Sequence, residues 1–295
     1  NLIVHLFGST TPAGNAFAKL LKDNGYKDVY QYSRNINNKN QIYLNMENTE
    51  EFSSLQLKKS SIIISFAPIW ITSKFLLGVI KSKPNFLKYI KKIIVCSSSS
   101  VLTKRFAFNK FDKELFSKLK DSEEIIFDLC SSLNIKCMIV KPTLVYGSSG
   151  KYKDKNFSKL INLMRWLPFI VLPSNSGLRQ PISCSQLANV FFNLITREKF
   201  FNSLKSSSLL VGGDRTLDYN NMLFLIRNST KKNDLARSCI FIKITDFLFI
   251  FLTFPLSFFS LKFYESVLRI FADLSNFTPQ SEITNQKLSK FPDKL

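Results

Sequence analysis

Two kinds of hydrophobic pattern alternate along this chain: short, nearly continuous apolar runs, and longer stretches in which apolar residues recur every three or four positions. The first run, Leu2-Ile3-Val4-His5-Leu6-Phe7, breaks at Gly8-Ser9-Thr10-Thr11-Pro12-Ala13-Gly14. A helical pattern follows over 13–24, with Ala16, Phe17, Leu20 and Leu21 on one face and Gly25 as its stop. Further strands are predicted at 28–33, 42–45, 61–66, 93–97 and 137–142, with helices over 71–82 and about 115–133. Strands that are apolar on both faces and separated by helices imply a parallel sheet covered on both sides.

The break after the first strand carries the chemistry. A buried parallel strand that ends in a glycine turn aims the next helix's free N–H groups and positive dipole end at one point, where a pyrophosphate can sit. The predicted fold class is therefore α/β, a Rossmann-type doubly wound parallel sheet with a smaller C-terminal substrate lobe. Residues 1–150 are expected to form the nucleotide-binding domain. Residues 151–295 are expected to form mainly the substrate lobe, with segments at about 178–212 returning to the core.

Composition narrows the chemistry. His5 is the only histidine in 295 residues and lies inside the first strand, which excludes a histidine-based metal centre or a Ser/His/Asp triad; no metal is expected. The five cysteines have no C-x-x-C spacing and fall within apolar patterns, as buried thiols in a reducing compartment do. The net charge of +20 suits a polyanion. No zinc spacing, aromatic RNA-binding motif or basic helix accompanies it, so nucleic acid is not the expected partner. Between 151 and 205 nine basic side chains face two acidic ones, Asp154 and Glu198, an imbalance that favours an anionic small molecule. The hydrophobic start is the first strand of the fold rather than a cleavable leader, and the chain is expected in the cytoplasm. The uncharged segment from Phe247 to Leu261 is 15 residues long and interrupted by Pro255. That is too short for a bilayer core, which takes about 20 residues. It reads either as a buried helix pair or as a surface in peripheral contact with a membrane.

Several motifs in order resemble the extended short-chain dehydrogenase/reductases, specifically the NAD-dependent epimerase/dehydratase family that acts on nucleotide sugars. The G-x-x-G-x-x-G opening matches at Gly8 and Gly14, with Thr11 in place of the middle glycine. Ser98-Ser-Ser-Val101 matches the Ser-x-x-Val after the fifth strand, and Lys141-Pro142-Thr143-Leu144-Val145-Tyr146-Gly147 resembles R-P-x-x-V-Y-G. The segment 178–188 is similar to the substrate-side R-D-x-I-H-V-x-D-L-A, with Ser183 and Gln186 replacing its His and Asp.

The resemblance implies a cofactor site made of Gly8, Ser9, Thr10, Thr11, Pro12, Ala13, Gly14, Ser33, Arg34, Ala67, Pro142, Thr143 and Val145. It puts Ser99 and Arg179 on the substrate and makes Ser98 the catalytic hydroxyl. The family's Y-x-x-x-K pair is broken. Aligning Glu124 with the glutamate that follows the pair puts Phe116 at the tyrosine and Lys120 at the lysine, and a shifted register through Lys118 offers only Glu114. Phenylalanine cannot transfer a proton. Arg34, at the end of the second strand where NAD binders carry an acidic residue, favours NADP over the alternative, NAD; an arginine there can also stack on adenine or face solvent. The implied function is an NAD(P)-dependent oxidoreductase or epimerase acting on a nucleotide-linked sugar in surface-polysaccharide assembly. The alternative is a catalytically weak NADP(H)-binding structural or regulatory module.

Overall fold

A computed structural model describes residues 2–36, 40–48, 55, 57, 60–204 and 207–293. Its centre is an eight-stranded sheet: β1 (Ile3–Phe7), β2 (Val29–Ser33), β3 (Gln41–Tyr43), β4 (Ser61–Ser65), β5 (Ile90–Cys96), β6 (Lys136–Pro142), β7 (Ser208–Gly212) and β8 (Thr278–Pro279). The spatial order is β8-β7-β6-β5-β4-β1-β2-β3, and every neighbouring pair is parallel. This is the doubly wound α/β arrangement that the alternation of runs predicts.

Period-two alternation explains how single strands serve two cores. Val4, Leu6, Ile62, Ile64 and Ile94 enter one core with helix α1 (Pro12–Asp23) and the helix Cys184–Thr196. Phe7, Ile63, Ile93 and Val95 enter the other, beneath helix α2 (Ile69–Ser82) and helix α3 (Lys110–Ser132). His5 faces the second side, wholly buried between the Tyr32 hydroxyl at 3.0 Å and the Ser61 hydroxyl at 3.2 Å. Burial drops its pKa from 6.5 to about 4, so at neutral pH it is an uncharged core residue.

Helix α3 starts five residues before its predicted start. Asn109 caps it by accepting a hydrogen bond from the Asp112 N–H at 2.9 Å, and the polar first turn hides the signal that an apolar period would give. The chain beyond Gly147 returns to the core repeatedly. Ile182–Ser183 pairs with Val145–Tyr146, the helix Cys184–Thr196 packs on α1, and β7 and then β8 extend the sheet past β6.

The segment 247–261 is not a buried helix pair. The helices Asp246–Thr253 and Leu256–Phe259 bury only Phe249, and most of their phenylalanines face outward. Among the described residues no helix is long and apolar enough to cross a membrane. The five cysteines are free thiols, three buried and two half-buried, and no cluster of potential metal ligands occurs among the described residues.

Candidate functional site

The sheet order reverses at β1, whose neighbours β2 and β4 lead to opposite sides. In such sheets the crevice beyond the strand ends at that reversal is the natural ligand site. Gly8 ends β1 there with φ +75°. A side chain on it would lie 2.4 Å from the Ala67 nitrogen at the end of β4, and one on Gly14 would lie 2.2 Å from the Gly8 carbonyl oxygen. The two glycines thus let the turn and helix α1 press against the sheet.

The turn is partly self-satisfied. Thr11 donates through its hydroxyl to the Gly8 carbonyl at 2.9 Å and accepts from the Gly14 N–H at 3.1 Å, while its own N–H bonds the Gly8 carbonyl at 3.0 Å. Pro12 has no N–H. The N–H groups of Thr10 and Ala13 make no backbone bond among the described residues and remain as donors. Ser9 is wholly buried, its hydroxyl accepting from the Gln41 amide at 3.3 Å, so its side chain faces away from a ligand.

Above the turn lies a cleft with a free volume of about 170 Å³. Gly8, Thr10 and Thr11 form its floor, Ala67, Pro68 and Ile71 one wall, and Ser33, Arg34, Leu44 and Met46 the other. Arg34 stands at the rim but is not alone: Glu47 pairs with it at 2.5 Å, with both side chains more than half exposed. A carboxylate thus shares the rim with Arg34 although the second strand itself ends without one. Glu47 follows β3, thirteen residues further on, and neither spacing nor motif signals the meeting.

On the far side of the sheet reversal Ser98 and Ser99 lie past the end of β5, beside the end of β6. The Ser98 hydroxyl accepts from the Ser100 N–H at 3.1 Å, and the Ser99 N–H bonds the Pro142 carbonyl at 3.0 Å, joining the serine cluster to the segment after β6. Ser97, passed over by the sequence reading, donates to Glu123 of α3 at 2.6 Å. Glu123 is in turn paired with Lys141 at 2.7 Å, both nearly buried. Thr143 is tied down by its hydroxyl bond to the Gln180 carbonyl at 2.5 Å, and Val145 is a half-buried member of the core.

Two expected roles are not met by the geometry. Lys120 is more than half exposed and among the described residues pairs with Glu124 alone, at 3.7 Å; Phe116, by contrast, is half-buried against the core. Arg179 is buried, and its guanidinium is consumed by the carbonyls of Leu178, Ala272 and Arg269 at 2.7, 2.5 and 2.5 Å. It also lies over the Tyr219 ring. An arginine with three of its five N–H donors bonded to backbone carbonyls fixes the 269–272 segment to the strand that carries it. Lys205, one of the nine basic residues of that half, lies outside the described residues.

No protein-family model matches the chain, and no curated protein matches it in sequence. Solved structures do match in shape. Gre2 from Candida albicans in complex with NADPH aligns over 99% of this chain and 95% of its own, with a TM-score of 0.64 and 14% identity. GDP-mannoheptose C4 reductase from Campylobacter jejuni with NADP bound aligns over 83% of this chain and 88% of its own, with a TM-score of 0.61 and 14% identity. UDP-glucuronic acid 4-epimerase from Bacillus cereus in complex with NAD aligns over 82% and 87%, with a TM-score of 0.56 and 14% identity. The chain therefore has the Rossmann-type fold of these dinucleotide-bound proteins, the fold that its resemblance to the extended short-chain dehydrogenase/reductases implies.

Proposed function

We propose that the protein binds NADP(H) in the cleft over the Gly8 turn and works as a slow oxidoreductase or epimerase on a nucleotide-linked sugar, in surface-polysaccharide assembly. The observation that supports it most is the turn itself: two glycines that no side chain can replace, at the sheet reversal, below an open cleft with an arginine at its rim. When bound, NADP(H) would supply or accept the hydride. Thr10 and Ala13 would offer N–H donors to its pyrophosphate, and Leu44, Met46 and Ile71 an apolar slot for its adenine. Arg34 would hold the 2′-phosphate. Its exposed pairing with Glu47 is worth only about 0–1 kcal/mol, less than the roughly 1.5–3 kcal/mol of a hydrogen bond to a charged group, so a phosphate can displace Glu47.

The proton-handling side is depleted. Glu123, not Glu124, makes the inward contact with Ser97 and Lys141. Aligned on Glu123, the tyrosine and lysine positions fall on Leu115 and Leu119, and in either alignment the tyrosine is absent. Ser98 remains as a hydroxyl able to hold a sugar oxygen. This apolar helix face favours a second reading, a binding module in which the dinucleotide is held and little is turned over.

The test is fluorescence titration with NADPH and NADH, followed by cofactor-linked absorbance on a panel of nucleotide sugars. Tighter NADPH binding that Arg34→Ala abolishes and Glu47→Gln strengthens is the expected result. Equal affinities for the two cofactors would reject the NADP assignment. Binding without turnover on every sugar would leave the binding module.

A further inference from the structure

The surface formed by residues 106–111, which lead into helix α3, and the helices between Asp246 and Leu268 is apolar and uncovered. Phe106, Phe108, Phe247, Phe258 and Phe259 are each between 78% and 88% exposed. Scattered exposed apolar residues are ordinary, but a contiguous patch on a folded surface marks a contact site. These residues belong to one surface because the elements are fastened together. Glu265 accepts from the N–H groups of Phe108 and Asn109 at 3.1 and 2.8 Å, and Phe254 packs edge-on against both Phe258 and Tyr264. Beneath, buried Asp112 holds Lys104 at 2.5 Å and also Arg269, so the patch rests on a rigid base.

The charges on this surface are all of one sign where they are free. Its two carboxylates from the 240–271 segment are engaged by the protein: Asp246 by the Asn175 backbone and side chain at 2.9 and 2.8 Å, Glu265 by Phe108 and Asn109. Two of its cations are not neutralised. Among the described residues Arg105 and Lys262 make no ion pair; Arg105 lies over the Phe106 ring at 5.3 Å and Lys262 over the Phe111 ring at 3.2 Å. Phenylalanines ringed by unpaired cations match an interface of acyl chains and anionic headgroups. A second copy of this chain would set the same cations against one another, on top of a net charge of +20 on each copy. The helices of the patch are 8, 4 and 8 residues long and stepped at Pro255 and Ser260, a form that lies along a bilayer surface and cannot cross it.

We propose that this face docks the protein peripherally on an anionic lipid bilayer, with the phenylalanines at the depth of the headgroup and acyl boundary. The proposal is independent of the cofactor assignment. It is tested by flotation of the full chain with phosphatidylcholine vesicles and with vesicles of phosphatidylcholine and phosphatidylglycerol in equal parts. The protein should float with the anionic vesicles and not with the neutral ones. Arg105→Gln with Lys262→Gln should weaken that binding by about 25-fold, at roughly fivefold per cation. Phe247→Ser, Phe258→Ser and Phe259→Ser combined should abolish it, with an unchanged circular dichroism melt showing that the fold is intact. Failure to float with anionic vesicles would overturn the proposal. So would flotation that the triple phenylalanine variant leaves unaltered, or a dimer in sedimentation velocity that the triple variant dissolves while vesicles bind neither form.

Discussion

Thr11 stands where a glycine would leave the turn open, and its hydroxyl takes the Gly14 N–H that a phosphate oxygen would otherwise receive. Replacing it with glycine releases that donor, while the loss of the helix cap costs only a few tenths of a kcal/mol. Thr11→Gly should therefore tighten NADPH binding by about tenfold, given roughly 1.5 kcal/mol or more for a hydrogen bond to a charged group; weaker binding in the titration would contradict the assignment of the turn. Arg179 shows the opposite case, a residue whose motif implies a ligand and whose bonds go to the protein. Arg179→Lys keeps the charge but cannot fill three carbonyls in one plane. It should lower stability by about 3 kcal/mol in urea unfolding, while the proposed binding of nucleotide sugars should be the same in the folded variant as in the wild type. A large loss of sugar affinity at unchanged stability would return Arg179 to the substrate site.

At the scale of elements, what the sequence made legible was set by how local the cause is. The run Leu2–Phe7, the Gly8 turn and α1 follow from neighbours in the chain, and each lies within a residue of its expected position. The helix around 115–133 was visible through its apolar period, but its Asn109 start and the meeting of Ser97, Glu123 and Lys141 depend on side chains far apart in sequence. Arg34 with Glu47 and the outward face of 247–261 are likewise tertiary outcomes, because an apolar run does not itself say whether anything covers it. One consequence concerns the register of α3. Lys120 points to solvent, so it cannot tune a phenol placed at position 116. If Glu123 sets the alignment, Leu115→Tyr combined with Leu119→Lys, which restores both members of the pair, should raise turnover of a nucleotide sugar by about 10²-fold or more, the range typical of a general acid or base. Phe116→Tyr should leave turnover unchanged. The reverse outcome in the cofactor-linked assay would restore the alignment on Glu124.

For the whole molecule, acid stability separates two effects that a chain of this charge combines. Protonating carboxylates raises the net charge as pH falls, and the resulting self-repulsion is screened by salt. His5 acts differently, since it is buried in the sheet and held neutral, with its pKa lowered by burial from 6.5 to about 4. Between those values the unfolded chain binds a proton that the folded one does not, so stability rises with pH across the window. The contribution, roughly 3 kcal/mol at 1.36 kcal/mol per pH unit, is complete above about pH 6.5 and lost as pH falls to 4. The carboxylates act lower. Burial raises the Asp112 pKa, but hydrogen bonds from Lys104, Asn109 and Arg269 outweigh it and hold the group at about 2. Hydrogen bonds from Lys136 and Lys92 bring Glu198 down to about 2 as well. Their contributions are full above the ordinary carboxylate values and disappear as pH falls towards 2. Urea unfolding at several pH values between 4 and 7.5, in low and in high salt, should therefore show a loss of stability below pH 6.5 that salt does not remove. His5→Phe fills the same space without a titrating group, so its lower absolute stability should no longer fall across that window. A wild-type slope that vanishes in high salt, or one that persists in His5→Phe, would assign the acid sensitivity to surface charge instead of the buried imidazole.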